Sequence, residues 1–260
     1  MKSTRTADIQ AEAIHQLMRQ LNMPYARKDI ASLLHTATVQ TWSPYDVLNN
    51  ILTTELKGRK ATSLKRRLQQ LGIPESKTFD TFDFEKCSIE DPTLRFIQSL
   101  EWIRRKENLV VVGPSGTGKT HLLQAVAHKE VLEGGTAHWF TLASLEATVN
   151  SYRVDFKVEK KIAQLAKASL IIIDDIGLLP ISDQAAEGLY RLVEACYEKT
   201  SIALSGNIHP SQFDQIMPPT LATATVDRLM HHAHLHVTTG QSFRMTQALN
   251  GQGTQPINNN

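Results

Sequence analysis

Eight consecutive residues near the middle of the chain have the types and the spacing that suit a bound phosphate group. They are Gly113, Pro114, Ser115, Gly116, Thr117, Gly118, Lys119 and Thr120, which fit the pattern G-x-x-x-x-G-K-[ST]. The glycines let the backbone curl so that its N–H groups face the phosphates. We expect Lys119 to neutralise the β and γ phosphates of ATP and the Thr120 hydroxyl to ligate Mg²⁺. The alternative, a glycine-rich turn that binds nothing, is disfavoured by the apolar strand before the loop and the helix after it.

Two neighbouring carboxylates follow the apolar run at 170–173. A strand at this position delivers them to the carboxyl edge of a parallel sheet, where ligands bind in such folds. We expect Asp174 to hold Mg²⁺ through water. We expect Asp175 to orient or deprotonate the attacking water, which requires a carboxylate within its reach. The alternative for Asp175 is a carboxylate that is only solvated.

Two further polar residues have roles that spacing alone leaves open. Asn207 follows the apolar run at 202–205, where its amide would bond the γ-phosphate or the attacking water, although Asn is also a common turn residue. Arg228 lies on a predicted helix, and arginine stabilises a phosphoryl group during transfer in its own subunit or in a neighbour's. The alternative is a helix-surface arginine paired with Asp227 or another acid.

Four histidines lie close together after that helix: His231, His232, His234 and His236. They cannot all converge on one ion, because they occupy a helix end that runs into a strand. No Cys or carboxylate completes a ligand set with them in the sequence. We therefore expect packing or interface residues here rather than a metal site.

A run of basic residues without an acid precedes the glycine-rich loop. It consists of Lys57, Arg59, Lys60, Lys65, Arg66 and Arg67. Residues 1–78 hold twelve Lys and Arg against six Asp and Glu, a net charge of +6, whereas the rest of the chain carries −4. A basic helical face of this kind favours contacts with the DNA backbone and little sequence specificity. The alternative is a solvated surface.

The elements that must position these residues divide the sequence into two parts. Residues 6 to about 72 contain no strand-like run and have helical periodicity, which predicts a small all-α domain at 1–78 for DNA binding or oligomerisation. Residues 79–250 alternate amphipathic helices with short apolar strands, expected at 109–112, 138–141, 170–174, 202–205 and 235–238. This alternation predicts an α/β domain with a parallel sheet. Residues 251–260 have nothing to bury, and we expect a disordered tail.

Composition and cysteine usage exclude several classes of protein. The apolar runs are strand-sized and too short to cross a bilayer, so we expect no membrane partner. The N-terminus is polar and lacks the apolar stretch of a secretory signal, which predicts a cytoplasmic protein. Cys87 and Cys196 lie far apart and form no C-x-x-C pair, which argues against a disulfide framework and a zinc site.

Taken in order, the motifs resemble those of the IstB-like ATPases, AAA+ transposition helpers of bacterial insertion sequences that are similar to the DnaC helicase loaders. The resemblance covers nearly the whole chain and is carried by residues 21–24, 72–74, 79–84, 113–120, 140–142, 173–177, 205–207 and 227–232. It implies a P-loop AAA+ parallel sheet flanked by helices, preceded by a small all-α domain. It also implies that Asn207 is the sensor-1 residue, that Arg228 is an arginine finger acting across a subunit interface, and that the protein is a homo-oligomer. Arg244 falls where related proteins place a second phosphate-sensing arginine.

The resemblance further implies a bacterial ATPase that assembles on double-stranded DNA with ATP at its subunit interfaces and joins the nucleoid when on DNA. It would recruit or activate a transposase, and hydrolysis would then dismantle the assembly. The chain departs from the family at Gly206, where Ser is usual, and near residues 212–213, where a Trp is often found. Three alternatives stay open. They are a DnaC-like replicative helicase loader, a small-molecule P-loop kinase active as a monomer without DNA, and a DNA clamp gated by nucleotide without hydrolysis.

Overall fold

The chain divides into two compact units, Met1–Arg66 and Arg67–Asn260. The computed structural model describes residues 2–84, 87–153, 157–177, 180–240 and 242, without the side chains of residues 2–10, 152 and 153. Within the described residues, no helix has the length and apolar character needed to span a membrane. The domain limits drawn from the sequence, at residues 78 and 250, stay a prediction.

Helices account for the N-terminal unit, as the sequence predicts. They are α1 (Lys2–Gln20), α2 (Pro24–Val39) and α3 (Pro44–Leu71), which continues past the end of the unit. Proline occupies the first turn of α2 and of α3. Because N–H groups in the first turn have no acceptor within the helix, proline costs no hydrogen bond there. A small buried cluster of Met18, Ala26 and Ile30 packs the three helices together with Ile51. A core of this size leaves part of the stabilisation to polar contacts.

A buried glutamate supplies the main polar contact between α2 and α3. Glu55 is 5% exposed, and its Oε2 accepts the N–H groups of Tyr25 and Ala26 at 3.0 Å each. Its Oε1 accepts Arg59 Nε at 2.7 Å. Burial alone would raise the pKa of Glu55, but the hydrogen bonds from Arg59 and from the two backbone N–H groups hold that pKa below its ordinary value. The ionised carboxylate therefore caps the first turn of α2.

The C-terminal unit is built on a parallel β-sheet. Its strands are β1 (Asn108–Val112), β2 (Ala137–Thr141), β3 (Leu170–Ile176), β4 (Ser201–Gly206) and β5 (Ala233–Val237). Its helices are α4 (Asp91–Ser99), α5 (Glu101–Arg104), α6 (Lys119–Leu132), α7 (Leu142–Arg153), α8 (Val158–Leu165), α9 (Asp183–Cys196) and α10 (Pro219–Met230). The strand order is β2-β3-β4-β1-β5, with parallel pairing throughout. The predicted α/β fold class is confirmed.

All five strands differ in extent from the sequence expectation, and the differences are largest in β3 and β5. Strand β5 begins at Ala233 rather than 235, because its first residue pairs with Asn108 of β1. Strand β3 continues to Ile176, and its register with β4 shifts between Ile173 and Ile176. Asp175 lies within this bulge and has a φ of 64°. Because the strands are parallel, the carboxyl ends of β1, β3 and β4 meet at one edge of the sheet.

A large buried core packs one face of the sheet against helices of this unit. Strand residues such as Val110, Ile173 and Leu204 are fully buried with Leu189 of α9, as in parallel sheets covered on both faces. Cys196 belongs to this core, and burial raises the pKa of its thiol to about 12. Cys87 and Cys196 are both free thiols.

Candidate nucleotide-binding site

The loop between β1 and α6 requires glycine at three points. Gly113, Gly116 and Gly118 have φ values of 146°, 82° and 88°, in the range where other residues are strained. A Cβ at Gly113 would also collide with the carbonyl oxygen of Thr238. Because α6 begins at Lys119, directly after the loop, its first N–H groups point toward a ligand held there. Residues 113–120, called the P-loop below, thus have the strand-loop-helix context that their pattern requires.

Lys119 is folded back into the P-loop. Its Nζ donates to the carbonyl oxygens of Gly113 and Pro114 at 2.7 Å each, and to Asn207 Oδ1 at 3.2 Å. The residue is only 7% exposed. A buried ammonium group is costly unless oxygen atoms surround it, and these three contacts meet that requirement. The positive charge is therefore held between the P-loop and the end of β4.

A hydroxyl and carboxylate cluster lies beside Lys119. Asp174 Oδ1 accepts the hydroxyl of Thr120 at 3.0 Å and also accepts the hydroxyl of Ser205. Burial raises the pKa of Asp174 above its ordinary value, although the two hydroxyl groups oppose that effect. Sequence reasoning did not single out Ser205. The available signal was a hydroxyl residue at the end of the apolar run of β4.

Asp175 and Asn207 face each other across the ends of β3 and β4. Asn207 Nδ2 donates to Asp175 Oδ1 at 3.4 Å, and the Asp175 N–H donates to Ser205 Oγ at 3.1 Å. Asp175 is exposed, whereas Asp174 is buried, so only Asp175 has ready access to water. Asn207 contacts both Lys119 and Asp175. The structure thus brings Lys119 and Thr120 of the P-loop together with the two aspartates near the end of β3 and the asparagine after β4.

The residue after β5 closes the P-loop from the other side. Thr238 is 2% exposed, its N–H donates to the Val112 carbonyl oxygen at 2.7 Å, and its Oγ1 lies 2.8 Å from Thr117 Oγ1. Ser242 lies so close to Gly116 that a Cβ there would meet its hydroxyl. The sequence did not single out either residue, since only the β1–β5 pairing brings them here. Arg244 and the predicted tail at 251–260 lie outside the described residues.

Arg228 lies away from this cluster and contacts its own chain. Its Nε forms an ion pair with Glu194 of α9, its Nη1 donates to the Ala224 carbonyl oxygen at 3.2 Å, and its guanidinium lies 5.4 Å from the Tyr190 ring centre. Helix α10 is followed by β5, which begins at the amino ends of the parallel strands. The P-loop lies at the opposite, carboxyl ends. Within one chain, Arg228 therefore makes the surface ion pair that the sequence left open, with Glu194 as the acid.

The histidine cluster divides among separate partners. His234 Nε2 lies 2.7 Å from Glu107 Oε2, and His236 Nε2 is buried without a hydrogen-bond partner among the described residues. Ligand-type atoms of Glu198, His231 and His232 lie within 4.8 Å of one another, all on exposed residues. The expectation that no carboxylate completes a set with the histidines was therefore wrong. Helix packing brings Glu198 to the pair, and sequence distance had concealed it.

The basic run is partly engaged by the protein itself. Arg67 Nη1 donates to the carbonyl oxygens of Gly134 and Gly135, at 2.5 and 2.7 Å. Arg59 pairs with Glu55 at 2.7 Å. The other four members of the run are exposed: Lys57, Lys60, Lys65 and Arg66. Arg59 is exposed as well, so five of the six candidate DNA contacts lie on the surface, and Arg59 and Arg67 also form bonds within the protein.

The fold is similar to those of solved structures. The DnaC helicase loader is similar with a TM-score of 0.51 and 19% identity, over 64% of this chain and 98% of that one. The replication initiator DnaA, bound to AMPPCP and single-stranded DNA, is similar with a TM-score of 0.52 and 18% identity, over 71% of this chain and 58% of that one. At these identities the likeness shows the fold alone. Together with the P-loop, it defines an AAA+ nucleotide-binding fold.

The family follows from comparison of sequences. A family model described as "IstB-like ATP binding protein" matches residues 16–251, and the chain belongs to this family. It is 32% identical over 233 residues to the insertion sequence IS21 ATP-binding protein of Pseudomonas aeruginosa, covering 89% of this chain and 88% of that protein. It is 29% identical over 238 residues to the corresponding IS5376 protein of Geobacillus stearothermophilus, covering 91% and 95%. The resemblance inferred from the motifs is confirmed.

Proposed function

We propose that this protein hydrolyses ATP to ADP and phosphate, and that its ATP-bound form assembles on double-stranded DNA as a helper of transposition. The observation that carries the proposal is the meeting of Lys119, Thr120, Asp174, Asp175 and Asn207 at one edge of the sheet, in a chain of an ATP-binding family. A glycine-rich turn without a ligand has no need of a buried lysine and two carboxylates in this arrangement.

The P-loop supplies the binding of the phosphates. Its backbone N–H groups and the first turn of α6 favour negative charge. When ATP binds, Lys119 exchanges the carbonyl oxygens of Gly113 and Pro114 for β and γ phosphate oxygens, which form stronger charge-assisted bonds. Thr120 and Asp174 present hydroxyl and carboxylate oxygens 3.0 Å apart, a donor set that fits Mg²⁺ completed by phosphate oxygens. Bound there, Mg²⁺ would offset charge that develops on the phosphates.

Asp175 is the group that we assign to the attacking water. Its carboxylate is exposed, whereas an oxygen of Asp174 is already occupied by two hydroxyl groups. In hydrolysis the water oxygen bonds to the γ-phosphorus, and the bond from that phosphorus to the β–γ bridging oxygen breaks. The proton released by the water passes to Asp175. Asn207, in contact with both Lys119 and Asp175, orients the carboxylate toward the attacking water.

Arg228 serves the site of a neighbouring subunit in this proposal. In its own chain Arg228 lies in the last turn of α10, near the start of β1, because Asn108 Nδ2 donates to the carbonyl oxygen of the next residue, Leu229, at 2.8 Å. The P-loop follows the opposite end of β1. Arg228 therefore reaches a γ-phosphate only in a homo-oligomer with ATP at the subunit interfaces, where it would stabilise charge on the phosphoryl group.

Duplex DNA and a transposase are the partners that we assign. The exposed side chains of Lys57, Lys60, Lys65 and Arg66 suit contacts with DNA phosphates, which carry no sequence information. The relatives in Pseudomonas aeruginosa and Geobacillus stearothermophilus are named as ATP-binding proteins of insertion sequences. A helper of this kind would present the DNA to the transposase, and hydrolysis would release the assembly.

The proposal is tested by measuring mass and ATP turnover with and without mixed-sequence duplex DNA. ATP and DNA together should drive a large assembly of the wild type. Arg228→Ala should still bind nucleotide but lose turnover, because the finger acts at a neighbour's site. Arg191→Ala is the matched control, since Arg191 also forms surface ion pairs on α9 but has no part in the site.

Two results would contradict the proposal. A monomer that hydrolyses ATP or transfers phosphate without DNA would favour a small-molecule kinase. An assembly on DNA that never hydrolyses ATP would favour a clamp gated by nucleotide alone.

A replicative helicase loader is the second candidate function, favoured by the likeness of the fold to the DnaC helicase loader. The two candidates share their ATP chemistry and differ in the protein they engage. Capture experiments with the purified ATP-bound protein should retain the transposase encoded beside its gene. Retention of the replicative helicase instead, without effect on strand transfer by the transposase, would establish the loader.

A further inference from the structure

A cationic cavity lies within the N-terminal unit, beside the turn between α1 and α2. Its volume is about 400 Å³, and its walls combine Arg19, Arg27 and Arg59 with Met18, Met23 and Pro24. A volume of this size falls in the range of about 300–1,000 Å³ that is usual for ligand sites. The walls differ from those of most such sites because three of the residues that line the cavity are arginines.

Arg59 is the fixed member of this group. Its Nε donates to Glu55 Oε1 at 2.7 Å and its Nη2 donates to the Asn22 carbonyl oxygen, while neither bond uses Nη1. Asn22 itself is held in the left-handed region, with a φ of 53°, at the turn. A guanidinium anchored in this way loses little conformational freedom when it binds a ligand.

Arg19 and Arg27 supply the excess charge. Glu55 offsets the charge of Arg59, but within the described part of the chain neither Arg19 nor Arg27 forms an ion pair. The cavity therefore presents two uncompensated guanidinium groups beside a third that is already oriented. Such an arrangement attracts an anion that can accept several N–H bonds at once, and a phosphate group meets that description.

We propose that this cavity binds a backbone phosphate of duplex DNA. The inference rests on the proposed function and adds to it a specific phosphate site on the N-terminal unit, outside the basic run at 57–67 except for Arg59. None of the described residues that line the cavity is aromatic, so no side chain there offers a ring for a base to stack on. This favours a backbone phosphate over a free nucleotide. A contact of this kind is independent of sequence.

The test compares two neighbouring residues of α2 that carry the same charge. Arg27 lines the cavity, whereas Lys28 is exposed and does not line it. Full-length Arg19→Gln, Arg27→Gln and Lys28→Gln would be titrated into a labelled mixed-sequence duplex at several salt concentrations, with Mg²⁺ and a non-hydrolysable ATP analogue. Inorganic pyrophosphate serves as a separate probe for a free phosphate ligand. Thermal unfolding verifies that each variant is folded.

Each cavity variant should lower the slope of log affinity against log salt by about 0.9, the value for one lost phosphate contact. Lys28→Gln should change the slope by less. Equal slopes for Arg27→Gln, Lys28→Gln and the wild type would overturn the inference while leaving the proposed function intact. If Arg27→Gln abolishes pyrophosphate binding but leaves DNA binding unchanged, the cavity binds a free phosphate. This result would also overturn the inference of a DNA phosphate site. A wild type that binds no duplex would overturn both proposals.

Discussion

Replacing Glu194 by Gln should raise ATP turnover, because Glu194 holds the Arg228 guanidinium against its own chain. In the proposed mechanism Arg228 must leave this ion pair to reach the γ-phosphate of a neighbouring subunit. The contact thus competes with catalysis. Removing the ion pair frees Arg228 more often and changes neither the P-loop nor the two carboxylates near the end of β3.

The size of the expected rise in turnover follows from how exposed the Arg228–Glu194 ion pair is. The side chains of Arg228 and Glu194 are 30% and 49% exposed, so solvent screens their attraction to about 0.5–1 kcal/mol. Since 1.4 kcal/mol is a factor of ten, turnover should rise by about two- to fivefold. The Tyr190 ring and the Ala224 carbonyl oxygen still contact Arg228 in the variant, which keeps the gain at this modest size.

The assay is steady-state phosphate release with saturating ATP, Mg²⁺ and duplex DNA. Glu187→Gln is the matched control: it removes the same charge from the same helix, but Glu187 pairs with Arg191 at 2.6 Å. Its turnover should equal that of the wild type. Unchanged or lower turnover in Glu194→Gln, with nucleotide binding and assembly retained, would refute the reasoning. Glu194 would then be a residue that positions Arg228 for its role.

Three further changes test other parts of the molecule. Lys119→Ala should weaken ATP binding by about 100-fold, or roughly 3 kcal/mol for two charge-assisted bonds, in a titration with a fluorescent ATP analogue. Asp175→Asn should keep ATP binding and lower phosphate release by about 10²- to 10⁴-fold; loss of binding instead would mean that Asp175 holds the nucleotide. Glu55→Gln should lower the free energy of unfolding by about 2 kcal/mol at neutral pH in urea titrations. Because the fold lowers the pKa of Glu55 below its ordinary 4.5, the wild type should keep this advantage above pH 4.5 and lose it as the pH falls through the folded pKa. An advantage that is constant with pH would contradict the role of the ionised carboxylate.

The sequence predicted the parts of the site that depend on local pattern. The P-loop occupies eight consecutive residues, and the apolar runs before Asp174 and Asn207 are strand-sized, so parallel pairing alone places them at one edge of the sheet. Ser205 and Thr238 escaped prediction because their roles depend on which strands are neighbours. The order β2-β3-β4-β1-β5 is a property of the packed sheet and has no local signature.

Contacts between helices were equally hidden. Glu194 precedes Arg228 by 34 residues. Nothing in the sequence indicates that Arg228 forms its ion pair with Glu194 rather than with another acidic residue. The same packing of α9 against α10 brings Glu198 to His231 and His232. Long-range pairs of this kind follow from the packing of side chains, which periodicity predicts only as an apolar face.

The bulge in β3 explains how two adjacent aspartates acquire different chemistry. In a regular strand, successive side chains point to opposite faces of the sheet, and one carboxylate would be lost from the site. The register shift after Ile173 and the φ of 64° at Asp175 break that alternation. Asp174 is thereby buried against the Thr120 hydroxyl, while Asp175 is exposed beside Asn207. Aspartate tolerates this backbone better than a residue with a longer side chain, because its short polar side chain bonds locally. The backbone conformation therefore favours Asp at 175, and the bulge rather than the side-chain length leaves its carboxylate exposed beside Asn207.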